Sequence, residues 1–288
     1  MAGCAATTPS LDDDPAVVAR RIAARVPPVQ VVYLGESHDN PYHHLDQARV
    51  IEAMLAGGAR PALAFEMLVQ TQQEVVDAAM LGSAGGAALG TLLRWDERGW
   101  PAFDMYRPLF DLARRDGLPV VALDLDQSVA RRIAKSGLGA LAAEERNRLA
   151  SRLTPDPRRE HGIARDIEAA HCGLLPAGAV PGMVDAWHAR NVTMARRILQ
   201  ALERAPQVVV IVGRGHQAPG GLADQVDALR PGTRQLIVDL VEAGGEGPGQ
   251  AGSDDRMLWR MAGQSVGRIV WPTRRIERPD PCAPLRNR

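Results

Sequence analysis

This sequence has almost no lysine and no formal net charge. Lys135 is the only lysine, and the 34 basic residues balance 34 acidic ones to give a formal net charge of zero. A chain without a net field has no long-range attraction for the phosphate backbone of nucleic acids or for an acidic membrane surface. We therefore predict that nucleic acid is not a partner of this protein.

Cysteines and long apolar runs are also scarce. The three cysteines are Cys4, Cys172 and Cys282, which are too few for a disulfide-built scaffold or a four-cysteine zinc site. One bridge between Cys172 and Cys282 is possible, although a small buried hydrophobic residue is the simpler interpretation of Cys172. No apolar run approaches the length of a membrane span, so we expect the body of the chain to be soluble.

Apolar residues are plentiful, since they make up 45% of the 288 residues, enough for the core of one large domain. Six short runs rich in β-branched residues are continuous rather than alternating, which is typical of parallel strands covered by helices on both faces. These runs are 30–34, 62–65, 119–123, 207–212, 235–240 and 268–271. Helices are predicted over 42–56, 71–80, 108–115 and 222–229. The pattern predicts an α/β fold with a mostly parallel central sheet flanked by helices.

The strand pattern disappears between about 126 and 205, where helical periodicity replaces it. We predict a helical subdomain there, inserted between the two halves of the sheet. It would belong to a single α/β domain spanning 27–277. Residues 1–26 are predicted to form a tether and a helix, and 278–288, which contain several prolines, a loose tail.

The first four residues, Met-Ala-Gly-Cys, resemble the end of a bacterial lipobox, in which small residues precede a cysteine that becomes lipidated. The basic and apolar leader of a signal peptide does not precede them in the sequence. Either the assigned translation start lies inside the signal peptide or the match is accidental. The first alternative predicts a lipid anchor at Cys4.

Acidic and histidine residues follow four of the predicted strands. Glu36 and His38 follow the first, Glu66 the second, Asp124 the third and His216 the fourth. Ligand sites of open parallel sheets lie beyond the carboxyl ends of the strands, where loops and helix N-termini converge. The two glutamates and two histidines would suit a divalent cation or general acid and base catalysis.

Each of these residues also has a simpler explanation. Glu36 could cap the next helix and His38 could bond a neighbouring carbonyl, but four such residues at successive strand ends favour a site. The glycine-rich turn 213–221 could cradle a phosphate, although it lacks the lysine–serine/threonine pair of a P-loop and the dinucleotide spacing. His43 and His44, which start the following helix, are interpreted as surface residues.

Several segments resemble, in order and spacing, the ChaN family of haem-binding, iron-regulated bacterial lipoproteins, a family similar in fold to Tiki proteases, TraB proteins and erythromycin esterases. These segments are 33–47, 65–67, 95–101, 106–108, 171–173 and 213–216. The resemblance spans about residues 29–271, the size of one complete domain. It implies an envelope protein, anchored to the outer membrane through Cys4 and facing the periplasm or the cell surface. It also implies haem uptake or storage, with haem held between the subunits of a homodimer.

The resemblance further implies which residues bind haem. The family's iron ligand is a tyrosine, and the matching position is Tyr106, whose phenolate would suit ferric iron. Trp95, Trp100 and Pro101 would form apolar walls for the porphyrin, and Arg94, Arg98 or Arg107 would pair with the propionates. On local pattern alone Tyr106 could instead pack in an apolar helix, but Pro108 predicts a helix that starts near Arg107 and leaves Tyr106 exposed just before it.

One departure from the family separates two hypotheses about function. Relatives tend to have an aspartate where this chain has Asn191, which removes a carboxylate that an enzyme would use beside its site. The first hypothesis is therefore a haem-binding protein with Tyr106 on the iron. The alternative is a metal-dependent hydrolase, of the peptidase or esterase type, in which Glu36, His38, Glu66 and His216 hold a divalent metal ion or activate water.

Overall fold

All strands that the structure describes lie parallel in one sheet. The structure is a computed structural model that describes residues 9–82, 86–243, 266–280 and 282–283. Its six strands are β1 (Val31–Glu36), β2 (Ala62–Val69), β3 (Val120–Asp124), β4 (Val208–Gly213), β5 (Gln235–Glu242) and β6 (Val266–Thr273). The ten α-helices of this described part are α1 (Pro15–Ala23), α2 (Pro41–Ala56), α3 (Gln73–Leu81), α4 (Gly86–Leu92), α5 (Phe103–Arg115), α6 (Gln127–Ser136), α7 (Ala143–Leu149), α8 (Pro157–Ala170), α9 (Val180–Ala201) and α10 (Leu222–Leu229).

The strands follow the order β3-β2-β4-β1-β5-β6 across the sheet. β4 lies between β1 and β2, because Val31 and Ala62 are both in register with Val208. The carboxyl ends of these three strands therefore meet at one edge of the sheet. The predicted α/β class with a parallel sheet is confirmed, and each predicted apolar run falls on an observed strand.

Helices cover both faces of the sheet, as the continuous apolar runs predicted. Because side chains alternate along a strand, Leu34 belongs to the core cluster that contains Ile51 of α2, whereas Tyr33 belongs to the opposite cluster with Ile198 of α9. The residues between β3 and β4 form helices α6 to α9 and no strand, with a small core cluster of their own around Ile133. None of the described helices is long and apolar enough to cross a membrane.

Helix α5 begins earlier than the sequence predicted. The predicted start near Arg107 is wrong, because the helix begins at Phe103 and includes Pro108 in its interior. An interior proline costs about 3 kcal/mol through a lost hydrogen bond and a steric clash. Phe103, Tyr106 and Phe110 are all buried in the core, and burial of three aromatic side chains outweighs that cost. Tyr106, which was predicted to be exposed, is therefore fully buried.

The C-terminal segment is tied down at two points. A disulfide joins Cys172, just after α8, to Cys282, and Arg278 donates hydrogen bonds to Asp39 and Glu242. The interpretation of Cys172 as a small hydrophobic residue and the prediction of a loose tail are thus wrong for the described residues of this segment. Cys4 lies outside the described residues.

Candidate functional site

The turn that follows β1 is held in place by hydrogen bonds to residues at the start of α2. Asn40 caps α2, its side chain accepting a hydrogen bond from the Tyr42 backbone at 2.9 Å, and proline takes the first helical position. The backbone N–H of Ser37 donates to His43 Nδ1 at 2.8 Å, and His44 Nε2 lies 2.9 Å from the His38 carbonyl. His43 and His44 are therefore buried structural residues, and their interpretation as surface residues is wrong.

The carboxylate of Glu36, at the end of β1, is surrounded by hydrogen-bonding groups from the turn, α2 and α5. Its Oε1 accepts the hydroxyl of Tyr106 at 2.6 Å and lies 2.8 Å from His38 Nδ1. Its Oε2 accepts from Gln47 at 2.6 Å and lies 3.3 Å from His44 Nδ1. Burial raises the pKa of Glu36, but the hydrogen bonds from His38 and His44 outweigh it and hold that pKa well below its usual range. Glu36 is thus a buried anion.

His38 extends from the same turn toward solvent. Its Nδ1 is fixed by Glu36, its Nε2 lies 3.9 Å from Glu66 Oε2, and 30% of the side chain is exposed. The ring of Trp100 packs edge-on against it at 4.9 Å between centroids. Burial lowers the pKa of His38, but the hydrogen bond to Glu36 and the charge of Glu66 outweigh it and raise that pKa to about 9.

Glu66 of β2 forms the second acid–histidine pair of the site. Its Oε2 accepts the backbone N–H of Gly213 at 2.7 Å, and its Oε1 lies 3.2 Å from His216 Nε2. The same Oε1 accepts from Arg190 Nη2 at 2.8 Å. Burial raises the pKa of Glu66, but the nearby charges of His216, His38 and Arg190 outweigh it and keep that pKa well below its usual range.

Arg190 of α9 is a site residue that the sequence analysis missed. Its guanidinium binds Asp124 with both Nε, at 3.0 Å, and Nη2, at 2.7 Å, and it reaches Glu66 as well. Burial lowers the pKa of Arg190, but the two carboxylates outweigh it and raise that pKa further. The sequence did contain a signal for Arg190, because this residue lies on the same helical face as Ala186 and Met194, and both of those are buried. A charged residue on an apolar face requires a buried partner.

The four residues predicted to hold a divalent metal are brought together, but as two hydrogen-bonded pairs. Within the described ranges, no group of three or more histidine, cysteine or acidic side chains is placed to hold a metal ion. Arg190 already supplies the cation that Glu66 faces, and both oxygens of Glu36 face hydrogen-bonding groups. The structure therefore does not support the predicted divalent metal.

Asn191 lies directly behind the second pair. Its Nδ2 donates to the Trp187 carbonyl at 2.8 Å, which turns its Oδ1 toward His216 Nδ1 at 3.0 Å. The Trp187 ring lies parallel to that of His216, with centroids 6.1 Å apart. Position 191 is asparagine and not the aspartate that the resemblance led us to expect. His216 Nδ1 therefore faces a neutral amide oxygen and not a charged carboxylate.

A pocket of about 560 Å³ opens above the two pairs. His38, Glu66, Trp100, Arg190 and His216 line its inner end. Its outer walls come from helices α6, α8 and α9 and are largely apolar, as Ala134, Ile163, Ile167, Met183, Ala186 and Trp187 show. The pocket combines an apolar cavity with a few convergent polar groups, which is the usual composition of a small-molecule site.

Most of the residues predicted to bind haem do not line this pocket, among them Trp95, Tyr106 and Arg107. Trp95 is buried in the core, where its Nε1 donates to the Pro101 carbonyl at 2.7 Å and its ring packs 5.0 Å from that of Tyr106. Arg107 pairs with Asp104 of its own helix at 3.2 Å. Trp100, also predicted to bind haem, does line the pocket.

Comparison with known proteins places the chain in a family. Residues 22–226 match the family described as haem-binding uptake, Tiki superfamily, ChaN. The chain belongs to this family. No curated protein sequence matches it.

Two solved structures show the same fold. ChaN of Campylobacter jejuni, described by its cofacial haem binding, is 18% identical over 79% of this chain and 87% of its own, with a TM-score of 0.65. The type III effector HopBA1 is 13% identical over 95% of this chain and 99% of its own, with a TM-score of 0.50. At these identities the likeness is one of fold.

Proposed function

We propose that this protein binds haem in the pocket above the carboxyl ends of β1, β2 and β4. One observation carries the proposal: the pocket has largely apolar walls, and the imidazole of His38 and the ring of Trp100 lie at its inner end. A porphyrin needs an apolar cavity, and its iron needs a donor side chain. Family membership and the haem complex of the Campylobacter relative support the same conclusion.

A hemin titration followed by absorbance tests this proposal. We expect a saturable Soret band for the full chain. Met183→Arg, which places a charge in the pocket wall, should weaken binding, whereas Leu174→Arg, at an exposed position 56% accessible to solvent, should not. Equal titration curves for the two variants, or no saturable band in the unaltered chain, would refute haem binding at this pocket.

The resemblance assigns the iron to Tyr106, but the surroundings of this residue favour a different role. Tyr106 is fully buried and donates its hydroxyl to Glu36. Burial, together with the charge of Glu36, raises the pKa of the phenol well above its usual range, which disfavours the phenolate that ferric iron prefers. Ligation by Tyr106 would require its hydrogen bond to Glu36 to break.

We also propose that two copies of the chain assemble around haem. The support comes from the family and from the cofacial haem arrangement described for the Campylobacter relative. Light scattering of the chain with and without hemin tests this, and a mass of one chain under both conditions would contradict it.

The last part of this proposal concerns location. We propose that a lipid anchor at Cys4 holds the chain on the outer membrane of the cell envelope. The lipobox-like Met-Ala-Gly-Cys supports the anchor, and the disulfide between Cys172 and Cys282 agrees with an oxidising compartment. Metabolic labelling with a fatty acid should label the chain expressed from its own upstream region. Cys4→Ser should abolish the label, and a label that persists would exclude Cys4 as the anchor.

A hydrolase is a second candidate function, favoured by the two acid–histidine pairs that face one pocket. His38, held by Glu36, is placed to act on water or on a bound substrate, and His216, held by Glu66, lies on the same pocket. A panel of esters and amides tests this candidate. If the unaltered chain hydrolyses a substrate and His38→Ala does not, the result would support this candidate. If the unaltered chain and His38→Ala hydrolyse every substrate at equal rates, the candidate would be excluded.

A further inference from the structure

We propose that the disulfide between Cys172 and Cys282 closes a redox-controlled strap, which holds helix α8 against the pocket until a dithiol reductant cuts the bond. The strap is the segment 274–280 together with Cys282. The opening of α8 does not depend on the identity of the ligand, but the release of haem that we expect from it rests on the proposed function.

Helix α8 supplies one wall of the pocket from a single face. Its residues that line the pocket recur at spacings of three and four, the spacing of neighbours on one side of a helix, and they are Ile163, Asp166, Ile167 and Ala170. His171, which lines the pocket as well, directly precedes Cys172. The disulfide is therefore attached one residue beyond the pocket wall.

Apart from the disulfide, α8 is held by few contacts. Ile163 is the single buried residue of this helix, all of which the structure describes, and the helix packs mainly on α9. A polar contact joins the two helices, in which Glu160 Oε2 lies 2.7 Å from His188 Nε2. A helix with so little buried apolar surface opens more readily than the core of a domain. Loss of the bond should therefore free α8 before it affects the sheet.

Cys172 occupies a backbone position that usually belongs to glycine. Its φ is 61°, and its backbone N–H donates to the Ala169 carbonyl at 3.0 Å. The N–H of Gly173 donates to the Glu168 carbonyl at 2.8 Å. These bonds form the Schellman ending of a helix, whose left-handed residue is usually glycine because a Cβ is disfavoured there. The disulfide thus holds α8 at a residue whose backbone conformation is unfavourable for a free cysteine.

The other end of the strap is fixed to the carboxyl edge of the sheet. The guanidinium of Arg278 donates to Asp39 at 2.8 Å and to Glu242 at 2.7 Å. Asp39 directly follows His38, which lines the inner end of the pocket. The strap therefore runs from beside the inner end of the pocket to the end of α8, and it ties the two together.

A reductant can reach the bond, because Cys172 and Cys282 are both partly exposed. A thiolate of the dithiol attacks one sulfur, the sulfur–sulfur bond breaks, and a mixed disulfide forms. The second thiol of the reductant then displaces the cysteine from this mixed disulfide. The chain gains two electrons and two protons as two thiols, and the reductant leaves as its own disulfide. Arg278 still holds the strap, but α8 is no longer tied to it.

Hydrogen exchange read by mass spectrometry tests the opening directly on the full chain. At short labelling times, while the strands stay protected, α8 should exchange faster in the chain reduced with dithiothreitol than in the oxidised chain. Porphyrin release is the second readout. Zinc protoporphyrin, whose metal does not react with the reductant, should leave the reduced chain about 10-fold faster, since changes at one site act mostly on dissociation.

Three variants separate the disulfide from its surroundings. Cys282→Ser should behave like the reduced chain and should not respond to the reductant. Cys172→Gly should open the pocket as well, because glycine suits the left-handed position but cannot form the bond. Arg278→Met frees the opposite end of the strap. It should speed release in the oxidised chain and have a smaller effect when combined with Cys282→Ser, in which the strap no longer reaches α8.

The outcomes separate this inference from the proposed function. Equal exchange of α8 in the oxidised and reduced chains would overturn the inference, as would faster exchange without faster release of a bound porphyrin. A response to the reductant that persists in Cys282→Ser would also overturn it. If no porphyrin binds to either form, the proposed haem function fails, and the exchange of α8 alone decides whether the strap opens the pocket.

Discussion

Tyr106 and Glu36, 70 residues apart in sequence, form a fully buried hydrogen bond of 2.6 Å between α5 and the end of β1. The bond sets the place of the carboxylate that also fixes His38. The bond therefore links the aromatic core of the protein to the inner end of the pocket. A substitution in the core should have a measurable effect at the pocket, and a substitution at the pocket should have a measurable effect in the core.

Removing this hydroxyl should destabilise the fold. Tyr106→Phe leaves a buried carboxylate with one donor fewer, and the loss of one partner of a buried hydrogen bond costs about 1–3 kcal/mol. Urea unfolding measures the free energy. Tyr42→Phe is a suitable control, because the Tyr42 ring packs under Arg274 at 5.1 Å and the substitution keeps that ring. Equal unfolding free energies for the two variants would show that the Tyr106 hydroxyl contributes nothing.

Glu36→Gln should lower the pKa of His38 from about 9 toward the ordinary value of 6.5. In the unaltered chain this raised pKa contributes stability that is fully present below pH 6.5 and is lost as the pH rises through about 9. Nuclear magnetic resonance of the imidazole measures the titration directly. Glu160→Gln removes an acid that pairs with His188 instead and should leave His38 unchanged. An unaltered His38 titration in Glu36→Gln would contradict the assigned pairing.

Replacement of Arg190 should be among the most destabilising changes in this protein. Arg190→Met leaves Glu66 and Asp124 buried without their cation, and breaking a buried ion pair in this way typically costs about 3–5 kcal/mol. Arg131 lines the same pocket but is exposed, so Arg131→Met should change the unfolding free energy by less than about 0.5 kcal/mol. Similar losses in the two variants would argue against a buried network around Arg190.

Acid should unfold the protein through Glu36 and Glu66. Both have a folded-state pKa below the ordinary value of 4.5, so the unfolded chain binds more protons in acid. The resulting stability is present above about pH 4.5 and is lost as the pH falls toward the folded-state pKa values, at about 1.4 kcal/mol per unit of pKa difference. In urea melts across this range, Glu66→Gln should flatten the pH profile and the exposed Glu52→Gln should not. Parallel profiles for Glu66→Gln and the unaltered chain would refute this account.

Loss of the disulfide should lower stability measurably. The bond joins residues 110 positions apart, and removal of such a long-range bridge typically costs about 2–5 kcal/mol, part of it through the entropy of the unfolded chain. Cys282→Ser should therefore melt at a lower temperature than the oxidised chain. A reductant should lower the melting temperature of the unaltered chain but have no further effect on Cys282→Ser. If the reductant acted equally on both, the bridge would not be its target.

Much of the site could be predicted from strand ends. Glu36, Glu66, Asp124 and His216 all follow apolar runs, and parallel strands bring their carboxyl ends to one edge in any strand order. For that reason the residues meet although the sequence does not reveal that β4 lies between β1 and β2.

Residues supplied by helices could not be predicted in the same way. Arg190, His44, Gln47 and Tyr106 all contact the strand-end acids, yet helical periodicity states only which face is apolar. Where that face docks, and how far the helix is rotated, depends on packing against the rest of the core.

The sequence by itself determined the α/β class, the positions of the strands and the acids and histidines at their ends, because these follow from local patterns of apolar residues. Only the tertiary structure decided that Tyr106 points inward to Glu36 instead of out to a ligand. It also decided that Arg190 pairs with Glu66 and Asp124, and that Cys172 meets Cys282. Each of these depends on the distance between side chains far apart in sequence, which is set by how helices pack on the sheet.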